Sequence, residues 1–299
     1  MTPETTAALD AAGLDADAVE RAVRAAFDED FRYGPDVTSA ATVGELAEVT
    51  ADVVARESGV LAGVPVALAV LDLLAESGLA GGGRVSGTAL RTDGARIGPG
   101  DAVLRVSGPA TAVLGAERTL LNFLTHLSGI ATATRAWADA IAGTGAVVRD
   151  TRKTLPGLRA LQKYAVRCGG GQNHRMGLGD AALIKDNHVA AAGGIAKAVG
   201  LVRSAAPDIP LEVECDTLDQ VREALEAGAR FILLDNMDVA DLRAAVAQAR
   251  RYEGVKLESS GGLRLENARE VASTGVDYLS VGALTHSSRT LDLGLDIAS

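Results

Sequence analysis

The stretch from Asp150 to His188, "DTRKTLPGLRALQKYAVRCGGGQNHRMGLGDAALIKDNH", gathers Arg152, Lys153, Arg159, Lys163, Arg167, Arg175 and Lys185. From Arg152 to Lys185 seven basic residues meet one acidic residue, Asp180, a local balance of +6 in a chain of formal net charge -10, so the remainder carries -16. A basic cluster in an acidic body suits a small, highly charged anion held in a pocket. It does not suit a nucleic acid, whose affinity comes mainly from neutralised phosphates. A solvated basic helix face would give the same count, so the spacing has to decide. Arg152 and Lys153 stand together, His174 and Arg175 stand together in the Gly-rich loop "CGGGQNHRMGLGD", and Lys185 ends an apolar run. Arginine clamps carboxylates with two parallel hydrogen bonds, while lysine acts as a point charge on phosphate. Gly169, Gly170 and Gly171 would let backbone approach a ligand closely.

Carboxylates follow. Glu214 and Asp235 end the next two apolar runs, and Glu212 shares a strand face with Glu214. Such oxygens suit Mg²⁺ and ribose hydroxyls; internal salt bridges to the lysines are the plainer reading. Ser259, Ser260, Gly261 and Gly262, and later Gly282 and Ala283, are small residues at expected strand-to-helix turns. Backbone N–H groups at such turns bind phosphate.

The secondary structure that would carry these residues is legible too. "AVVRDT", "ALIKDN", "LEVECD", "FILLDN", "VKLESSG" and "YLSVGA" are six short apolar runs, most of them separated by helical stretches. Strands alternating with helices predict a parallel sheet. Six runs whose terminal residues include Asp150, Lys185, Glu214, Asp235, Ser260 and Gly282 predict the C-terminal mouth of a β/α barrel. The barrel is incomplete: six strands, or seven with one more between Asp150 and Lys185. Upstream, a helix is expected from Asp15 to Phe27, a strand in "EVTADVVARESGVLAG", a helix in "VPVALAVLDLLAESG" stopped by Gly78, and short strands to Ala110. The fold class is therefore α/β, an incomplete β/α barrel (119–285) preceded by an N-terminal α+β domain (1–118), with the tail 286–299 packing back on the latter. A long helix is expected from Ala112 to Ala142, with Leu120, Leu121, Leu124 and Leu127 on one face and a kink or split at Ser128-Gly129. Arg118 sits early in it.

Composition sets the outer bounds. At 47% hydrophobic and 3% aromatic residues, the core must be aliphatic. Cys168 and Cys215 have no metal-ligand spacing. The start is acidic and unlike a signal peptide, and the most apolar stretch is interrupted by Asp72. A cytoplasmic protein without membrane or nucleic-acid partners is expected.

The basic stretch resembles the hallmark segment of the quinolinate phosphoribosyltransferase family, and the similarity spans nearly the whole chain. "YGPDVTS" and "ARESGVLAG" are similar to its amino-terminal domain, "ERTLLNFLTHLSGIAT" to its linking helix, and "EVECDTL", "LLDNM", "ESSGG" and "VDYLSVGALTHS" to its later strand ends. The resemblance implies that quinolinate and phosphoribosyl pyrophosphate give nicotinate mononucleotide, pyrophosphate and CO₂, with Mg²⁺ and no organic cofactor. It implies that Arg118, Arg152, His174 and Arg175 hold the two quinolinate carboxylates, and that Lys153 and Lys185, with Thr154 beside them, meet the phosphoribosyl donor. Glu214 and Asp235 would meet ribose hydroxyls and metal-bound water. Ser260, Gly261 and Gly282 would take the 5′-phosphate, with Gly262, Val281 and Ala283 next to them. Lys153, Lys185, Glu214 and Asp235 are the expected catalytic set. The family is homodimeric or larger, with Arg118 reaching the neighbouring subunit's site. Cys215 and Ser259 depart from its usual pattern.

Two other readings compete. A lysine ending a barrel strand, as Lys185 does, is how Schiff-base lyases are built, although several arginines are excessive for one small carbonyl substrate. A related phosphoribosyltransferase-like protein of metal-oxyanion uptake would share the phosphate site but not the set Arg118, Arg152, His174 and Arg175.

Overall fold

The computed structural model describes residues 1–44, 47–79 and 83–298. The chain forms two compact units, one of Met1–Arg135, Thr154–Gly170 and Thr285–Ser299, the other of Ala136–Lys153 and Gly171–Leu284. Residues 119–135 and 154–170, which the sequence reading assigns to the barrel domain, therefore lie in the first unit.

The first unit is built on a four-stranded antiparallel sheet in the order Leu293–Ile297, Glu48–Ala55, Ala102–Pro109, Ser86–Ala89. Along Glu48–Ala55 the residues Ala51, Val53 and Ala55 are buried and those between them are not, the two-residue period of a strand with one covered face. Helix Ala16–Phe31 begins where Asp15 can cap it, its carboxylate accepting from the Asp17 N–H at 3.1 Å. Helix Val64–Ser77 is apolar nearly all round and starts without a side-chain cap of its own. Asp93 supplies one from a distant loop, accepting from the N–H groups of Gly63 and Val64 at 2.7 and 3.1 Å and from the Tyr164 hydroxyl at 2.5 Å. Burial pushes this carboxyl above its ordinary value, against the hydrogen bonds that lower it.

The long helix runs unbroken from Ala110 to Ala140. Gly129 does not split it. A Cβ at this position would stand 1.9 Å from the carbonyl oxygen of Arg289, so glycine lets the C-terminal segment cross the helix at backbone contact. Ser128 and Thr132 also reach outward, accepting from the N–H groups of Ala62 and Val60 at 3.0 and 2.8 Å.

The second unit carries six parallel strands: Val147–Arg149, Ala182–Ile184, Leu211–Cys215, Phe231–Asp235, Lys256–Ser260 and Tyr278–Ser280. From the second strand to the sixth, neighbours in sequence are neighbours in the sheet, and the first strand pairs with the sixth. The first and second strands do not pair, so the barrel is open there. Among the described residues no seventh strand fills this gap; Gln172 alone makes an isolated parallel bridge to Arg149. The connection instead forms helix Arg159–Cys168.

Period-two alternation sorts these strands unusually. Val213, Cys215, Ile232, Leu234, Leu257, Ser259 and Leu279 are buried and share the outward parity, where the helices cover the sheet. The inward parity holds Glu212, Glu214, Asp235, Glu258, Ser260 and Ser280. Cys215 and Ser259, the two departures from the family pattern, thus belong to the outer, buried face.

Candidate active site

Strand register brings the inward residues into rows. Glu214, Leu233 and Glu258 lie side by side, and one level nearer the C-terminal ends so do Asp235, Ser260 and Ser280. Above them opens a pocket of about 380 Å³ lined by Thr151, Arg152, Lys153, His174, Arg175, Leu183, Lys185, Glu214, Leu233, Asp235, Glu258, Ser260 and Ser280. That volume suits a small-molecule site. Eight of these were expected from the sequence: Arg152, Lys153, His174, Arg175, Lys185, Glu214, Asp235 and Ser260.

Lys185 and Glu214 form an ion pair, Nζ to Oε2 at 2.5 Å, with the lysine side chain 45% exposed and the glutamate 15%. Asp235 accepts from Asn236 Nδ2 at 2.7 Å. The Arg175 guanidinium donates to the Ala181 carbonyl at 2.9 Å. Burial, and then the like charge of Arg152, depress the Arg175 pKa from its ordinary value. Two guanidinium groups that oppose each other's charge in one pocket favour an anion there. Asp180, the one acid inside the basic stretch, is used by the loop itself. It accepts from the N–H groups of Met176 and Gly177 at 2.6 and 2.9 Å. Burial raises its pKa, but these bonds bring it below the usual carboxylate range.

His174 lines the pocket, yet its ring is engaged within the protein. Nδ1 accepts from the Arg175 N–H at 2.8 Å. A ring nitrogen that accepts carries no proton, so in the neutral ring Nε2 does. Nε2 stands 2.8 Å from Glu212 Oε2 and 3.5 Å from Glu258 Oε1. The expected role of His174 as a ligand for a substrate carboxylate needs that same Nε2–H. Glu258 also accepts from Arg149 at 2.6 Å and from the Ser280 hydroxyl, and Arg149 lies 4.2 Å from the centroid of the Tyr278 ring. Burial, and then the charge of Glu212, push the Glu258 carboxyl up, against the pull of His174 and Arg149. Donor atoms of His174, Glu212 and Glu258 all lie within 4.8 Å of one another. Arg149 already supplies a positive charge to that cluster, whereas Glu214 and Asp235 present hard oxygens nearer the opening, the better donor set for Mg²⁺.

The remaining expected residues lie outside the pocket lining. Gly261 and Gly262 follow Ser260 with φ of 82° and 63°. Gly282 and Ala283 follow the sixth strand, but Val281 is buried and its N–H donates to the Arg149 carbonyl at 2.9 Å, continuing the sheet ladder. Arg118 and Thr154 belong to the first unit. Arg118 is exposed on the long helix, and the Thr154 hydroxyl accepts from Arg159 Nε at 3.0 Å. Sequence reasoning missed Thr151, Leu183, Leu233, Glu258 and Ser280. Glu258 and Ser280 were within reach of it: each shares the parity of a residue already singled out, Ser260 or Gly282.

Comparison with known proteins agrees with this geometry. Residues 36–128 match the family model described as quinolinate phosphoribosyl transferase, N-terminal domain, and residues 130–296 match its C-terminal domain. The chain is 56% identical over 283 residues to a carboxylating nicotinate-nucleotide pyrophosphorylase of Mycobacterium leprae, covering 94% of this chain and 98% of the relative. It is 41% identical to a probable enzyme of the same name from Bacillus subtilis, covering 91% and 90% of the two chains. The solved nicotinate-nucleotide pyrophosphorylase of Francisella tularensis superposes with a TM-score of 0.88 at 39% identity, over 94% of this chain and 96% of that one. With both domain models matched in order and strand-end residues gathered around one cationic pocket, the chain belongs to the quinolinate phosphoribosyl transferase family.

Proposed function

We propose that this chain transfers the phosphoribosyl group of phosphoribosyl pyrophosphate to quinolinate with loss of CO₂, giving nicotinate mononucleotide for de novo NAD synthesis. The observation that carries the reading is one pocket in which Arg152, Lys153, Arg175 and Lys185 meet Glu214 and Asp235 at the ends of parallel strands.

Both substrates are polyanions, and a cationic mouth offsets their mutual repulsion. Arg152 and Arg175 take the quinolinate carboxylates, with His174 beside them and Arg118 lent by the second subunit of a homodimer. Lys153, Thr154 and Lys185 meet the phosphoribosyl donor. Ser260, Gly261 and Gly262, with Val281, Gly282 and Ala283 from the next turn, enclose its 5′-phosphate. Glu214 and Asp235 fit Mg²⁺ through water, and the ion when bound neutralises the departing pyrophosphate. As the C1–oxygen bond breaks, positive charge grows on the ribose, and the Glu214 carboxylate stabilises it. After transfer the ring nitrogen is cationic. The bond to the adjacent carboxylate breaks, CO₂ leaves, the electron pair stays on the ring carbon beside that nitrogen, and a proton fills it. The chain need only orient the carboxylate and exclude water. A Schiff-base role for Lys185 is less favoured, since the pocket also gathers Arg152, Lys153 and Arg175, more positive charge than one small carbonyl substrate needs. No helix among the described residues is long and apolar enough to cross a membrane, and we place the reaction in the cytoplasm.

Incubation with quinolinate, phosphoribosyl pyrophosphate and Mg²⁺ should release CO₂ and form the mononucleotide. Nicotinic acid, which lacks the carboxylate beside the ring nitrogen, is the control. Equal turnover of the two acids would overturn the decarboxylating reading.

A further inference from the structure

The fourth barrel strand ends at Asp235 and turns through Asn236, whose φ of 54° is the one positive value at a non-glycine position among the described residues. L side chains rarely adopt this region, and asparagine is among the few that tolerate it. Three contacts hold it there. Its N–H donates to the Ser260 carbonyl on the neighbouring strand at 2.9 Å. Its Nδ2 donates to Asp235 Oδ2 at 2.7 Å. A carboxylate only accepts, so this bond fixes which way the amide points and turns Oδ1 the other way. Oδ1 then occupies the space beside Gly261: a Cβ built on that glycine would stand 2.2 Å from it. Gly261 has a φ of 82°, so both space and backbone demand glycine there. One side chain thus spans two adjacent strand ends, from a carboxylate on one to a glycine turn on the other.

We propose that Asn236 is a positioning residue that sets the spacing between Asp235 and the Ser260–Gly262 turn, and so the grip on the two ends of the phosphoribosyl donor. This rests on the functional reading above, in which Asp235 serves the ribose end and Ser260–Gly262 the 5′-phosphate. Backbone in a sparsely populated region persists where its surroundings over-determine it. Here the surroundings are those two groups, and neither belongs to the side that takes quinolinate. The donor should therefore feel the loss of Asn236 and the acceptor should not.

Asn236→Gly relieves the backbone and removes the amide. Its melting temperature should equal or exceed that of the wild type, because glycine adopts this φ freely. The KM for phosphoribosyl pyrophosphate should rise roughly tenfold, with calorimetric binding of that donor weakened in parallel, while the KM for quinolinate stays within about twofold. Asn236→Asp keeps size and turn but sets a carboxylate against Asp235, and its donor KM should rise at least as far. A donor KM for Asn236→Gly within about twofold of wild type would overturn the proposal. So would an equal rise for both substrates or a lowered melting temperature, either of which marks a general structural role. A wild-type chain that neither binds the donor nor turns over would defeat the functional reading itself, and the inference with it.

Discussion

Glu214 and Glu258 occupy matching places in the barrel. Each faces inward, and each is in register with Leu233, on either side of it. Their surroundings differ. The Glu258 side chain is 2% exposed and is held by Arg149, Ser280 and His174. Glu214 is partly open and pairs with the far more exposed Lys185. The floor of the pocket therefore consumes its charges internally. The rim leaves a carboxylate and an exposed ammonium where a ligand can compete for them. A carboxylate at the inward parity is not by itself a catalytic group; what it is bonded to decides.

This contrast can be broken from the floor. Glu258→Ala leaves the half-buried Arg149 without its carboxylate and frees one partner of His174. Breaking a buried charge pair costs about 3–5 kcal/mol, and urea unfolding should show a loss of that size, with activity falling as Arg175 loses its support through His174. A loss under about 1 kcal/mol would mean that the floor is not structural.

From the rim the outcome should invert. Glu214→Gln removes a partly exposed ion pair, so stability should change by less than about 1 kcal/mol. Turnover should drop by roughly a hundredfold with little change in either KM, because the charge matters most when the ribose becomes cationic. A higher donor KM at unchanged kcat would recast Glu214 as an anchor for the donor.

The smallest effect should come from the opposite face of the sheet. Ser259 follows Glu258 directly but has the outward parity. Ser259→Ala should leave kcat unchanged and alter stability by less than about 1 kcal/mol in the same urea series. A loss of activity would mean that the outer face of the strand communicates with the pocket.

Local features were legible in the sequence. Short apolar runs marked the strands, an amphipathic run from Asp15 to Phe27 marked a helix, and the residue types at strand ends marked a cationic mouth with carboxylates. Eight of its site residues line one pocket because strand ends converge once the strands are parallel and in register. The resemblance extended this to residues such as Arg118 that spacing alone does not reach. Which partner each group takes follows from the folded arrangement. Arg149 and Glu258 meet across 109 positions, and Gln162 and His126 across 36. Nothing in either local pattern encodes those pairings. Gly129 looked like a helix break and is a crossing point, because the Arg289 backbone that needs the space arrives from the far end of the chain. The seventh strand reduced to one bridge at Gln172, since the connecting residues fold as a helix in the other unit. The resemblance implies a substrate carboxylate as the partner of His174, and the structure adds partners within the protein. The ring nitrogens of His174 are taken by the Arg175 amide and Glu212 because strand register sets the inward carboxylates beneath it. Periodicity is a property of neighbouring residues, but pairing depends on where distant segments come to rest.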